Sequence, residues 1–157
     1  SVTDRIVNFA DFGPTVLSLA GIPPPSYMQG KSFLGSAVST PRDYAFSFRG
    51  RMDERFDMVR SVRDKKFRYI RNYMPHKIYG EYLEYLWKAP SVGSWEDALH
   101  DGKLNEVQSA FWKPKPPEEL YDVEADPHNI NNLAGESTYQ DVLLRMREAN
   151  RKWIMES

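Results

Sequence analysis

From Tyr44 onward, apolar and polar positions alternate. Tyr44, Phe46 and Phe48 are interleaved with Ala45, Ser47 and Arg49, a period of two that predicts a half-buried strand over 44–49. The same alternation predicts a strand at 57–63, through Met58, Arg60 and Val62, and another at 67–73, through Phe67, Tyr69 and Tyr73. Asp64-Lys65-Lys66 between them reads as a short turn, and such spacing favours antiparallel pairing. The charged stretch Gly50–Arg55 reads as a connector, and Glu118–Asp122 as a fourth strand.

Towards the C-terminus the period changes to 3.6. Tyr139, Val142, Leu143, Met146, Ala149, Trp153 and Ile154 form one apolar stripe, which predicts a helix over 138–154 lying across one face of the sheet. Tyr139, Val142, Leu143, Met146 and Trp153 should then be buried. Near the other end, Val16, Leu17, Leu19 and Ala20 predict a helix over about 11–20, with Pro14 at its first position and Gly21 at its end. Its apolar face has no obvious cover within the first 40 residues. Self-association, or disorder of residues 1–40, is therefore expected of the isolated chain. Between 75 and 117 the pattern predicts a helix with an aromatic face over 79–88, a second starting near Ser94-Trp95-Glu96-Asp97, and a third over 104–111. Lys113-Pro114-Lys115-Pro116-Pro117 reads as a rigid extended spacer and Ala125–His128 as a turn. The fold class is α+β: a four-stranded antiparallel sheet with a long C-terminal helix packed on it.

Composition fits a chain of 157 residues that can bury a real core: 41% are hydrophobic and 27% charged. The net charge of −1 argues against a dedicated nucleic-acid partner. No apolar run approaches the ~20 residues that span a bilayer, so no membrane partner is expected. The absence of cysteine removes disulfides, thiolate metal sites and cysteine nucleophiles. The chain begins at Ser1 and opens directly into Asp4-Arg5-Ile6-Val7, which reads as a piece of something longer.

No Ser, Cys or His arrangement for nucleophilic catalysis is visible, and His76, His100 and His128 are too scattered for a metal site. Candidate chemistry lies instead in Arg49, Arg51, Asp53, Glu54, Arg55, Arg60 and Arg63. Several guanidiniums beside one hairpin could hold a sulfate, phosphate or carboxylate. Alternating acids and bases could equally form a self-neutralising solvated network. The aromatic positions Tyr79, Tyr82, Tyr85 and Trp87 suit either a stacking floor for sugar rings or core packing.

Four phrases, in order, carry a family resemblance. Asn8–Ile22 resembles the "VDLxPTxLxLAGI" helix that follows the catalytic portion of type I sulfatases, and Met28–Leu34 the "xxGxSLxP" segment after it. Met58–Arg63 with Arg68–Asn72 is similar to the "xRxVRxxxYKYI" hairpin of that family. Glu118–Asp122 with Asp126–Ala134 resembles its "ELYDLxxDPxExxNLA" ending, Asn129 standing where Glu is usual. Within the family the look is that of heparan N-sulfatase and its bacterial relatives.

The resemblance implies a hydrolase of sulfate esters or sulfamates whose whole form uses Ca²⁺ and a formylglycine. Neither the Cys-x-Pro-Ser-Arg type motif nor a matching acidic cluster is present, so no catalytic residue, metal ligand or cofactor is assigned to this chain. Residues 1–39 would finish an alkaline-phosphatase-like α/β catalytic domain, with a helix at about 9–20 and a Pro-rich turn. Residues 40–157 would form the C-terminal subdomain, which in sulfatases closes one side of the cleft. Implied partners are the N-terminal catalytic domain of the same polypeptide and a sulfated small molecule or glycan. The substrate-binding candidates are Arg51, Asp53, Glu54, Arg55, Arg60 and His76. Two other readings are a freestanding module for anionic glycans and a structural interaction domain.

Overall fold

The structure, a computed structural model, describes residues 3–52 and 54–157. Along the chain the elements are α1 (Phe12–Leu19), β1 (Ala45–Met52), β2 (Arg55–Arg63), β3 (Phe67–Asn72), α2 (Glu84–Trp87), α3 (Pro90–His100), α4 (Glu106–Ser109), β4 (Glu118–Asp122) and α5 (Gln140–Glu156). The strands form one antiparallel sheet in the order β1-β2-β3-β4, as the alternation predicts. Among the described residues, no helix is long and apolar enough to cross a membrane.

Period-two alternation gives the sheet two chemically different faces. Phe46, Val62, Tyr69 and Leu120 are cross-strand neighbours on one face. α5 lies over them, and Val62, Tyr69, Leu120, Leu143 and Met146 make the core. Leu143 and Met146 are buried as expected, while Tyr139, Val142 and Trp153 are only half-buried at the rim. Trp153 still stacks on Phe46, with centroids 5.0 Å apart. The opposite face carries Ser47 and Ser61, whose hydroxyls meet at 2.6 Å, and further along Asn72, Glu119 and Tyr121.

Several expectations need correction. Gly50, Arg51, Met52 and Arg55 belong to strands, because β1 and β2 run on past a bulge between Arg49 and Arg51. The helix expected at 79–88 is the single turn of α2, since Tyr79 turns back to the sheet and its hydroxyl donates to Glu119 at 2.7 Å. α3 starts at Pro90, four residues before Ser94, whose hydroxyl bonds back to the Pro90 carbonyl rather than capping. The third helix is reduced to α4, capped reciprocally by Asn105 and Gln108, and a 3-10 turn at Ala110–Trp112.

The connection from β3 to β4 is a long excursion between neighbouring strands. Its neck is pinched by an antiparallel bridge from Ile78 to Pro114 and by the Gly80 N–H donating to the Phe111 carbonyl at 2.8 Å. Gly80 has no room for a Cβ, which would run into the Phe111 ring. Above the neck, Trp87, Trp95, Phe111 and Trp112 pack on one another as a small aromatic core. Core packing is thus the role of Trp87, whereas Tyr82 and Tyr85 remain about half exposed.

α1 begins two residues before Pro14, which sits inside the first turn where a missing N–H is still harmless. Asn8 caps the preceding 3-10 turn. At the other end, the Gly21 N–H bonds the Ser18 carbonyl and the Ile22 N–H the Leu17 carbonyl, with Gly21 at φ 74°. That is a Schellman ending, and it requires glycine. The apolar face lacks a cover, as expected, and the buried face is polar. Pro14, Thr15 and Ser18 are buried, whereas Val16 and Leu19 are 62% and 61% exposed. The loop of residues 31–39 explains the inversion. Its Phe33 N–H donates to Thr15 Oγ1 at 3.1 Å and its Ala37 N–H to Ser18 Oγ at 2.8 Å. The described part of residues 1–40 is therefore ordered, with its apolar side facing outward.

Candidate functional site

The β1–β2 hairpin carries most of the sequence-predicted residues, and an ion network lies just below its tip. Asp57 is 1% exposed and pairs with the buried ammonium of Lys115. Arg49 lies 3.9 Å from Asp57 and 3.9 Å from Glu81, and Lys77 holds Glu81 at 2.8 Å. Arg49 Nε and Glu81 Oε2 are buried with no hydrogen-bond partner among the described residues. Burial works to raise the Asp57 carboxyl, but Lys115, the Met58 N–H and Arg49 outweigh it and hold it below the usual carboxylate range. The spacer residue Lys115 is thus a buried anchor.

The hairpin tip leans on the segment before α2. Arg55 Nε donates to the Tyr82 carbonyl at 2.7 Å, with its guanidinium over the Tyr82 ring. Glu54 Oε1 accepts the Glu84 N–H at 3.0 Å. Arg51 is exposed, paired in register with Phe56. Asp53 lies outside the described residues. His76 is exposed in the turn after β3. Arg51, Glu54 and Arg55 therefore share one tip, but Arg60 does not join them. It sits on the α5 face of β2, directly opposite Arg71, and donates to the Val59 and Arg49 carbonyls at 2.9 and 3.3 Å.

A second polar centre, invisible in the sequence, lies on the face away from α5. The buried Glu119 carboxylate accepts hydrogen bonds from Asn72 Nδ2 (2.5 Å), Tyr79 OH (2.7 Å) and Tyr121 OH (2.6 Å). Burial, with the Glu119 charge, pushes both tyrosines far above their usual range, so they act as fixed donors. They line a cleft of about 660 Å³ together with Arg68, His128 and Asn129. Among the described residues, no group of three or more His, Cys, Asp or Glu side chains could hold a metal ion.

No protein-family model matches the chain. Individual proteins do. Over 151 residues, 96% of the chain, it is 38% identical to an ulvan-active sulfatase of Formosa agariphila, of which it covers 25%. It is also 27% identical to the human N-sulphoglucosamine sulphohydrolase, over 99% of this chain and 34% of that protein. Over nearly its whole length the chain is similar to part of these sulfatases. It spans a quarter to a third of the length of these curated relatives. In fold it is similar to a solved 2-O GAG sulfatase, with a TM-score of 0.63 at 19% identity, covering 99% of this chain and 27% of that one. The sheet with its C-terminal helix fits the C-terminal subdomain of these sulfatases.

The sulfatase phrases are devices of this fold. In the Met28–Leu34 phrase, a Cβ on Gly30 would run into the Ala10 carbonyl, and the Lys31 N–H donates to Asp11 Oδ1 at 2.7 Å. In the ending, Asp126 Oδ2 accepts the Ile130 and Asn131 N–H groups at 2.7 and 2.8 Å. Asn132 extends the β4 edge, accepting the Leu120 N–H at 2.9 Å and donating to the Glu118 carbonyl at 3.0 Å. Asn129 has φ 56° and holds Arg68 at 3.1 Å. The departure from Glu thus places a side chain that tolerates left-handed backbone where the turn requires it.

Proposed function

We propose that this chain is the C-terminal part of a sulfatase whose whole form hydrolyses a sulfate ester or sulfamate on an anionic glycan. Residues 1–39 complete the catalytic α/β layer, and residues 40–157 form a subdomain that walls one side of the substrate cleft. The observation that carries this reading is the outward apolar side of α1. Its polar side is already committed to the 31–39 loop, so Phe12, Val16 and Leu19 remain for a second layer. The N-terminal catalytic portion is the partner that covers them.

The Ca²⁺ and formylglycine of the family find no place among the described residues: there is no cysteine and no acidic cluster of ligand size. No step through either is assigned to this chain. Its contribution is positional. Arg51 is the exposed cation of the hairpin tip, and Glu54 and Arg55 fix that tip against residues 82–84. Arg51 and Arg55, together with His76 exposed in the turn after β3, would meet the charged periphery of a sulfated sugar.

The test is Arg51→Ala in the polypeptide that contains the catalytic portion, with a sulfated oligosaccharide as substrate. KM should rise several-fold and more steeply at low salt, with kcat held, because an exposed charge contributes screened attraction. Unchanged KM and unchanged salt dependence would remove the tip from the cleft. The 157-residue chain alone is expected to release no sulfate from an aryl sulfate or from glucosamine N-sulfate with Ca²⁺ present. Metal-dependent release would overturn the assignment of chemistry to another part of the polypeptide.

A further inference from the structure

A cavity of about 480 Å³ opens between the last turns of α5 and the edges of β3 and β4. Its wall is unbalanced in charge. Arg71 lines it, and stands directly opposite Arg60 on the adjacent strand, whose guanidinium is turned away to the Val59 and Arg49 carbonyls. The next residue across, Glu118, is the only carboxylate in that row, and it is already engaged. Arg147 grips it with two hydrogen bonds of 2.9 and 2.8 Å, and Tyr69 OH donates to it at 2.5 Å. Arg71 is left 3.6 Å away, its guanidinium above the Tyr73 ring. In the cavity wall the guanidiniums of Arg71 and Arg147 thus share one carboxylate, while Arg151, at the cavity's outer edge, is neutralised by Glu148.

An independent observation comes from α5. Asn150 is 3% exposed and lines this cavity, yet its Oδ1 has no hydrogen-bond partner among the described residues. An amide oxygen buried without a partner costs stability, and native chains keep few of them. It sits beside guanidiniums with donors to spare, the ring of Tyr73 and the apolar side chain of Ile154.

We infer that this cavity binds an anionic saccharide unit. The sulfate or carboxylate is held by Arg71 with Arg147, a ring hydroxyl by the Asn150 amide, and the sugar face by Tyr73. A bare anion would satisfy the charge and leave Asn150 and the apolar wall unused. A neutral sugar would leave Arg71 and Arg147 sharing the single charge of Glu118. This inference rests on the side chains of the cavity alone, so it stands or falls separately from the hydrolytic reading.

The experiment is calorimetric titration of the protein with glucosamine 6-sulfate, glucuronate, unsubstituted glucosamine and inorganic sulfate, alongside thermal melts. Either anionic sugar should bind more tightly than glucosamine or inorganic sulfate. Arg71→Ala should weaken that binding about tenfold or more, the loss expected of a charged hydrogen bond. Asn150→Ala should also weaken it while raising Tm by a few degrees, because it removes an unsatisfied amide and inserts the best helix former. That opposition separates a binding residue from a structural one. Equal affinity for inorganic sulfate would overturn the saccharide, and affinities unchanged by both substitutions would overturn the site. An Asn150→Ala variant with a lower Tm and unaltered affinity would assign the amide to structure alone.

Discussion

α1 and α5 are both amphipathic helices, yet they bury opposite kinds of face. α5 sets Leu143 and Met146 into the core, where the sheet offers Val62, Tyr69 and Leu120. α1 sets Thr15 and Ser18 against the 31–39 loop and leaves Val16 and Leu19 outside. The difference lies in the neighbour, not in the helix. A sheet face presents side chains and takes apolar ones in return. A loop presents unpaired backbone N–H groups, which need oxygen acceptors. α1 therefore has its polar face covered by the chain itself and its apolar face open.

The comparison breaks most sharply just below the β1–β2 hairpin tip. Lys115→Met strands the buried Asp57 carboxylate, and should cost about 3–5 kcal/mol in denaturant unfolding. Replacing both partners with apolar residues should recover most of that loss. Next come the two helices themselves. Met146→Ala in α5 should cost about 2–5 kcal/mol as a core cavity, whereas Val16→Ala in α1 should stay within about 0.5 kcal/mol in the isolated chain. A large loss at Val16 would mean that its face is already covered. Thr15→Val should cost about 1–3 kcal/mol, because the Phe33 N–H loses its acceptor. The smallest effect is acid sensitivity confined to the sheet half. Burial acts to raise the Glu118 carboxyl as it does that of Asp57, but hydrogen bonds and cations hold both below their ordinary range. Their contribution is complete above the usual carboxylate pKa of about 4 and is lost as pH falls below it. Stability followed from pH 6 downwards should decline there, and less steeply in Glu118→Gln.

The sequence made the sheet and α5 legible because Phe46, Val62 and Met146 sit at periods that only one arrangement satisfies. It placed Arg51, Glu54 and Arg55 near one hairpin because they are close in the chain. Arg60 lies further along β2 from the tip, opposite Arg71 and bonded to the Val59 and Arg49 carbonyls, which closeness in the chain did not reveal. Lys115 looked like part of a rigid extended spacer, for its partner Asp57 is distant in sequence. Glu119, Arg71 and Asn150 looked like ordinary polar positions on a strand or helix. Their meaning comes from cross-strand register and from burial, which no local pattern encodes. The helix expected at 79–88 failed for a related reason: the pull of Glu119 on Tyr79 is a tertiary interaction.

The long excursion between β3 and β4 also fixes an order of assembly. β1, β2 and β3 are joined by tight turns, so their pairings close short loops quickly. β4 can pair with β3 only after some 45 residues have been brought back on themselves, and that closure entropy precedes any reward. We expect the three-stranded meander to form first, and β4, with the Glu119 and Lys115 contacts it carries, to lock in afterwards. Pulsed hydrogen exchange during refolding would show it: protection of the Val59 to Ile70 amides ahead of those at Leu120 and Tyr121, with simultaneous protection counting against this order.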